Sequence, residues 1–200
     1  MNRSTCAALA LILAAGAAPL HAEEHDGHRQ HGAHVHGHAE LAVAMDGPAL
    51  EINLTSPAAN FLGFEHAPQT QEQEAAVEVL EKTLADPANL FEISAAAECA
   101  LTASKIEMGG LEAGHHDHEE HGHTDHDHDA HDHEGKDERH TDIEARYSLT
   151  CAKPGALKSI TVSVFSEFSG FEEIDAVILS EAGQSAQELD PGQPELTIKP

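Results

Sequence analysis

Histidine is the residue type around which the chemistry of this chain gathers, eighteen copies in 200 residues. Ten of them fall between Gly114 and His140, spaced by Asp, Glu and Gly: His115, His116, His118, His121, His123, His126, His128, His131, His133 and His140. Imidazole nitrogens and carboxylate oxygens at that density are ligands for borderline divalent ions, Zn2+ first, with Ni2+, Co2+ and Cu2+ in competition. Solvated spacers draw on Glu, Lys, Ser and Gly and seldom on His, so a ligand array is the better reading than a spacer. The tract has no apolar residue larger than Ala130 and cannot enter a core. We therefore expect a disordered His/Asp-rich loop over 112–140 with weak, exchangeable metal sites, since each binding event must order the chain.

A second His-rich stretch opens the mature chain and ends in His34, His36 and His38. Alternation continues into Leu41, Val43 and Met45, the pattern of a strand with one apolar face. In an extended chain residues i and i+2 point the same way, so the three imidazoles could face one side; the other reading is a frayed arm that only enriches local metal. His66, beside Glu65 in Phe61-Leu62-Gly63-Phe64-Glu65-His66-Ala67-Pro68, is the one histidine remote from both tracts. Such a pair is either a surface or capping pair or part of an ordered site. The candidate ordered zinc site is His34, His36, His38, His66 and His140, with Glu65 as a ligand or as the group that orients one. Imidazole must be neutral to ligate and its ordinary pKa is near 6.5, so affinity should fall below about pH 6.

Composition places these residues outside the cytoplasm. Arg3, the small and apolar run Ala7 to Ala18, and the polar turn at Glu23 read as a secretory signal peptide over 1–22, too short and too early broken by Pro19 to span a bilayer. Cys6 leaves with it. A His-rich arm then covers 23–38, and 39–200 is expected to be a single domain whose ordered part is roughly 130 residues. The formal net charge of −26 argues against nucleic acid and anionic membranes and for cations as partners, and with no later apolar segment long enough to span, no membrane insertion is expected. Cys99 and Cys151, with no CxxC spacing, read as one disulfide around the His-rich loop, a bond worth about 4 kcal/mol by loop-closure entropy. Two thiolates on the metal are the alternative.

The pattern outside the tracts is α+β and β-rich. Glu40 to Leu54 reads as a hairpin turning at Asp46-Gly47-Pro48, and Thr70 to Ala85 as the one main helix, with Thr70 and Gln73 in a capping box and Ala76, Val77, Leu80 and Leu84 as its apolar stripe. Glu98 to Ile106 alternates, with Cys99, Leu101 and Ala103 on one side. Ile143 to Cys151, a turn at Lys153-Pro154-Gly155, and Ile160 to Val164 read as a second hairpin, followed by a last strand over Ile174 to Leu179 and a polar tail. The disulfide would then hold the two roots of the loop together. Both hairpins turn at Gly and Pro and are followed by Phe-x-Gly-Phe-Glu, Phe61 to Glu65 and Phe168 to Glu172, which suggests two hairpin units related by internal duplication.

With His34-Val35-His36-Gly37-His38-Ala39-Glu40-Leu41, Gly63-Phe64-Glu65-His66-Ala67-Pro68, the central loop and Phe171-Glu172-Glu173-Ile174-Asp175, the chain resembles the ZrgA family of zinc-uptake proteins over about His31 to Leu196. The resemblance implies a Gram-negative periplasmic protein that binds zinc and feeds an ABC-type zinc permease. A divalent-metal buffer or chaperone for Zn, Ni or Cu without a permease would use the same residues. Enzyme function is not expected: there is no His-Glu-x-x-His, no Gly-x-Ser-x-Gly and no Gly-rich phosphate loop.

Overall fold

Period-two alternation builds most of the molecule. In a computed structural model, which describes residues 35–111 and 141–199, β1 (His38–Asp46) and β2 (Ala49–Pro57) form the expected first hairpin. Gly47, at φ 53°, takes the first of two turn positions ahead of Pro48, where a two-residue hairpin loop of type II′ requires glycine. Two short helices, α1 (Ala58–Leu62) and α3 (Val164–Glu167), flank the main helix α2 (Gln71–Leu84) and the strands β3 (Phe91–Ile93), β4 (Cys99–Glu107), β5 (Asp142–Cys151) and β6 (Ser159–Val162). The chain closes with β7 (Glu173–Ser180), β8 (Gly183–Leu189) and β9 (Glu195–Thr197).

Six strands form one sheet in the order β4-β5-β2-β1-β7-β8, and β3-β6-β9 form a second. The alternating apolar residues all face inward: Leu41, Val43, Leu50, Ile52, Leu54, Ile143, Tyr147, Ile174 and Ile178 are buried in one continuous core. Helix α2 contributes Val77, Leu80 and Leu84 to that core. Burying each contributes about 2 kcal/mol. Its start is half of the expected capping box: the Thr70 side chain accepts from the Gln73 amide at 3.2 Å, while Gln73 Oε1 accepts from the Gln69 amide, one residue before the cap, at 2.8 Å. At its far end the Tyr147 hydroxyl donates to the Leu84 carbonyl at 2.6 Å, tying helix to sheet.

Four expectations are corrected. Strand β6 does not pair with β5 but with β3 and β9 in the other sheet, so the second hairpin is absent and Glu40 to Glu65 and Asp142 to Glu172 have unrelated topologies. The duplication reading ends there; alternating strands resemble one another whatever they pair with. Cys99, Leu101 and Ala103 do not share one side of β4, and Leu101 is exposed. A bulge between Leu101 and Ala103 reverses the parity, so that Cys99 pairs with Cys151 before it and Ile106 with Ala145 after it. The polar tail contains β8 and β9, whose Leu189 and Leu196 are buried. An edge strand wetted on most sides carries little apolar signal.

The fourth concerns the disulfide. Cys99 and Cys151 are bonded, S–S 2.03 Å, so the thiolate alternative falls. The bond lies at the far end of the β4–β5 ladder from Glu107 and Glu144, about 27 Å away by strand rise. The segments leading to Leu111 and Thr141 meet at the other end of the ladder, where Gly109 lies so close to Thr141 and Asp142 that a Cβ would come to 2.5 Å of the Asp142 carbonyl oxygen.

Candidate metal centre at one edge of the sheet

Strand directions decide which residues share an edge. Strands β1, β5 and β7 start, and β2, β4 and β8 finish, at the same end of the six-stranded sheet. Val35, Leu111 and Thr141, from which the two His-rich tracts leave the described residues, are therefore at that end together with His38, Glu173 and the start of α1.

The extended alternation of His34, His36 and His38 does not continue through this edge. Val35 to His38 is a β-turn, with the His38 amide donating to the Val35 carbonyl at 3.1 Å and Gly37 at φ 89°. Only glycine takes that conformation without strain, and a Cβ on Gly37 would also sit 3.1 Å from the Glu172 side chain. The turn separates two imidazoles that a straight strand would have left side by side. His36 Nε2 meets Glu65 Oε1 at 3.1 Å, and His38 Nδ1 meets Glu173 Oε1 at 3.2 Å.

Asn60 fixes the turn. It is 3% exposed; its Oδ1 accepts from the Gly37 amide at 2.8 Å, and its Nδ2 donates to the His38 carbonyl at 2.9 Å and Ser56 Oγ at 3.0 Å. On the other side the Gly37 carbonyl accepts from the Glu172 and Glu173 amides at 2.8 and 3.0 Å. The two Phe-x-Gly-Phe-Glu segments thus meet around His36-Gly37-His38: Phe61 packs edge-on against Phe168 and Phe171 at 5.0 and 4.8 Å. Gly170 lies so close to the Asn60 backbone that a Cβ would come to 2.4 Å.

The hydrogen bonds also assign lone pairs. A carboxylate or carbonyl only accepts, so the ring nitrogen facing it carries the proton and the other nitrogen is free to ligate when the ring is neutral. By this rule His36 offers Nδ1, whereas His38 meets Glu173 as an ion-pair contact without a hydrogen bond that would fix its tautomer. His66 is exposed, stacks on Phe64 at 5.2 Å and donates from Nδ1 to the Ala67 carbonyl at 2.9 Å, which leaves its Nε2 outward. The Glu65 side chain is 13% exposed against 64% for His36, a carboxylate held inside and an imidazole reaching out. This is the geometry by which a carboxylate orients a ligating histidine. His34, His140 and the loop histidines His115, His116, His118, His121, His123, His126, His128, His131 and His133 lie outside the described residues.

A second group of donors was not anticipated from the sequence. Oxygen atoms of Glu173, Asp175 and Glu188 lie within 4.8 Å of one another, an arrangement able to hold a divalent ion. Asp175 and Glu188 belong to a row across the outer face in which Glu107, Glu144, Thr55, Glu40, Asp175 and Glu188 are successive cross-strand partners, while Glu173 pairs with His38 one pleat nearer the strand ends. The two halves of the row differ. Lys105 holds the Glu107 carboxyl below its ordinary range, and Arg146 is paired with Glu144, which raises the guanidinium further. Among the described residues no Lys or Arg ion-pairs with Glu40, Asp175, Glu188 or Glu173. Register alone reveals the row, because its members come from six segments of the chain; the Glu173 to Asp175 string was visible, but not what faced it.

An edge that gathers imidazoles and carboxylates, with two His-rich tracts rooted on it, is the edge of a cation-handling protein. Residues 33–198 match the model described as ZrgA family zinc uptake protein, and the chain belongs to that family. No curated protein matches it. Among the described residues no helix is long and apolar enough to cross a membrane.

Proposed function

We propose that this protein is exported to the periplasm, captures Zn2+ there and passes it to an ABC-type zinc importer. The observation that carries the reading is the turn that sets His36 against Glu65 at the edge where both His-rich tracts begin. His36, oriented by Glu65, is the ordered anchor of the holding site; the turn carries His38 away from it to Glu173, and among the described residues only Glu173, Asp175 and Glu188 bring three donor atoms within 4.8 Å of one another. His34 and His140, each one residue outside the described segments, are the further ligands, and the histidines of 115–133 capture and concentrate the ion. Zinc is cargo in this scheme, and no catalytic group is assigned. The carboxylates Glu40, Asp175 and Glu188, which have no Lys or Arg partner among the described residues, support the reading electrostatically, since an edge of one sign raises the local concentration of a divalent cation.

Elemental analysis of the mature protein after chelation and readdition, with competition affinities for zinc against nickel and copper, tests it. Tight zinc binding should survive deletion of 114–133 and be lost in H36A/H38A. Loss on deletion alone would refute a separate ordered site. Association with an importer complex separates delivery from simple buffering of zinc, nickel or copper.

A further inference from the structure

The inner face of the six-stranded sheet is covered by the core, whereas the outer face is shaped by side-chain size. Ala42 and Ala44 of β1 form a floor, with Val177 and Leu179 of β7 on one side and Glu51, Asn53 and Arg146 on the other. The result is a trough of about 470 Å³ along β1. Its nearer walls stand on β2 and β7, one strand either side of β1, with backbones about 10 Å apart, and Arg146 stands one strand further out on β5; the gap between the wall side chains takes the apolar side-chain ridge of a helix laid over it. Val177 and Leu179 are 41% and 55% exposed where the solvent face of a sheet ordinarily carries polar residues.

We infer that this trough is a docking site for a basic amphipathic helix of another protein. Charge selects the occupant. The end of the trough nearest the metal edge opens on Glu40, Asp175 and Glu188, which have no Lys or Arg partner among the described residues. Arg146 in the far wall has its charge taken by Glu144 through both Nε and a terminal nitrogen, at 2.8 and 2.6 Å. The trough is therefore apolar along its floor and negative at its mouth. A second copy would oppose like carboxylate rows on chains of net charge −26, and an anionic bilayer would be repelled in the same way. A helix with apolar residues on one face and Lys or Arg at its flank satisfies both surfaces. The inference does not depend on which metal the edge holds.

The test titrates the full mature chain with a synthetic Leu/Lys amphipathic helix of about four turns, followed by amide NMR shifts and fluorescence anisotropy. The comparison peptides are its Leu/Glu counterpart and a scrambled Leu/Lys sequence. The variant A42Y/A44Y fills the floor on the solvent face and leaves the core and every proposed metal-binding residue in place; circular dichroism and zinc stoichiometry confirm that it is folded. The expected result is shifts confined to Ala42, Ala44, Val177, Leu179 and Glu40, affinity that falls with salt, and a loss of about tenfold or more in A42Y/A44Y. Equal binding by the scrambled or Leu/Glu peptide, or unchanged affinity in A42Y/A44Y, overturns it. So does a dimer in sedimentation that A42Y/A44Y dissociates, which would make a second copy the occupant.

Discussion

Replacing Asn60 by Asp tests the construction of the metal edge more sharply than removing any ligand. The two side chains have the same shape, so no cavity opens, yet Asp cannot donate. The bond from Nδ2 to the His38 carbonyl is lost, the Ser56 hydroxyl must turn from the Pro57 carbonyl to donate to the new group, and a carboxylate oxygen is placed 2.9 Å from a carbonyl in a residue only 3% exposed. Leaving one buried carbonyl unpaired costs about 1–3 kcal/mol, and burying a charge beside it adds to that. N60D should therefore lose about 2–4 kcal/mol in chemical denaturation at neutral pH. Part of the loss should be recovered as pH falls and the new carboxyl takes up a proton, which restores a donor. Because Asn60 sets the turn that carries His36 and His38, zinc affinity should also fall by about tenfold or more. N60A, which leaves the Gly37 amide unpaired as well, should be at least as destabilised but without the recovery in acid. A loss below about 0.5 kcal/mol in N60D, or zinc affinity equal to the parent in a destabilised variant, would refute the claim that this side chain builds the site.

Gly170→Ala brings a Cβ to 2.4 Å of the Asn60 backbone, whereas Gly63→Ala meets nothing within 4 Å and pays only for its φ of 77°. By denaturation the first should lose about 1–3 kcal/mol and weaken zinc binding, the second should lose about 1 kcal/mol and leave zinc binding alone; equal effects on zinc would break the link between the two Phe-x-Gly-Phe-Glu segments and the edge. C99S/C151S should cost about 4 kcal/mol in denaturant with zinc affinity unchanged, because the bond lies at the opposite end of the β4–β5 ladder; a parallel loss of affinity would contradict that placement. Burial, with Asp86 adding to it, pushes the Tyr147 hydroxyl well above its ordinary pKa. The unfolded chain releases this proton first, so stability should fall as pH rises past about 10. Y147F should flatten that alkaline limb while losing about 1 kcal/mol at neutral pH through the unpaired Leu84 carbonyl; an unchanged limb would show that another group sets it.

The first hairpin, helix α2 and its cap, and the pairing of the two cysteines were all legible in the sequence because each is written locally or by elimination. Period two marks a half-buried strand, Thr70 with Gln73 marks a helix start, and once Cys6 is set aside with the expected signal peptide, Cys99 and Cys151 allow one intramolecular bond. What alternation cannot write is the partner of a strand. Ile160 and Val162 alternate as convincingly for a hairpin with β5 as for the sheet with β3 and β9 that they join, since only apolar contacts far along the chain distinguish the two. The bulge in β4 was hidden for a similar reason: one extra residue reverses inside and outside without changing composition.

The candidate site divides along the same line. The chemistry of the cargo was set by residue types alone, because imidazole and carboxylate are zinc ligands wherever they stand. Tertiary structure decided which of them stand together. A turn at Gly37, held by Asn60 from below and by the Glu172 and Glu173 amides from the side, sends His36 to Glu65 and His38 to Glu173. Strand direction, a property of the whole sheet and of no single segment, brings the ends of both His-rich tracts to the same edge.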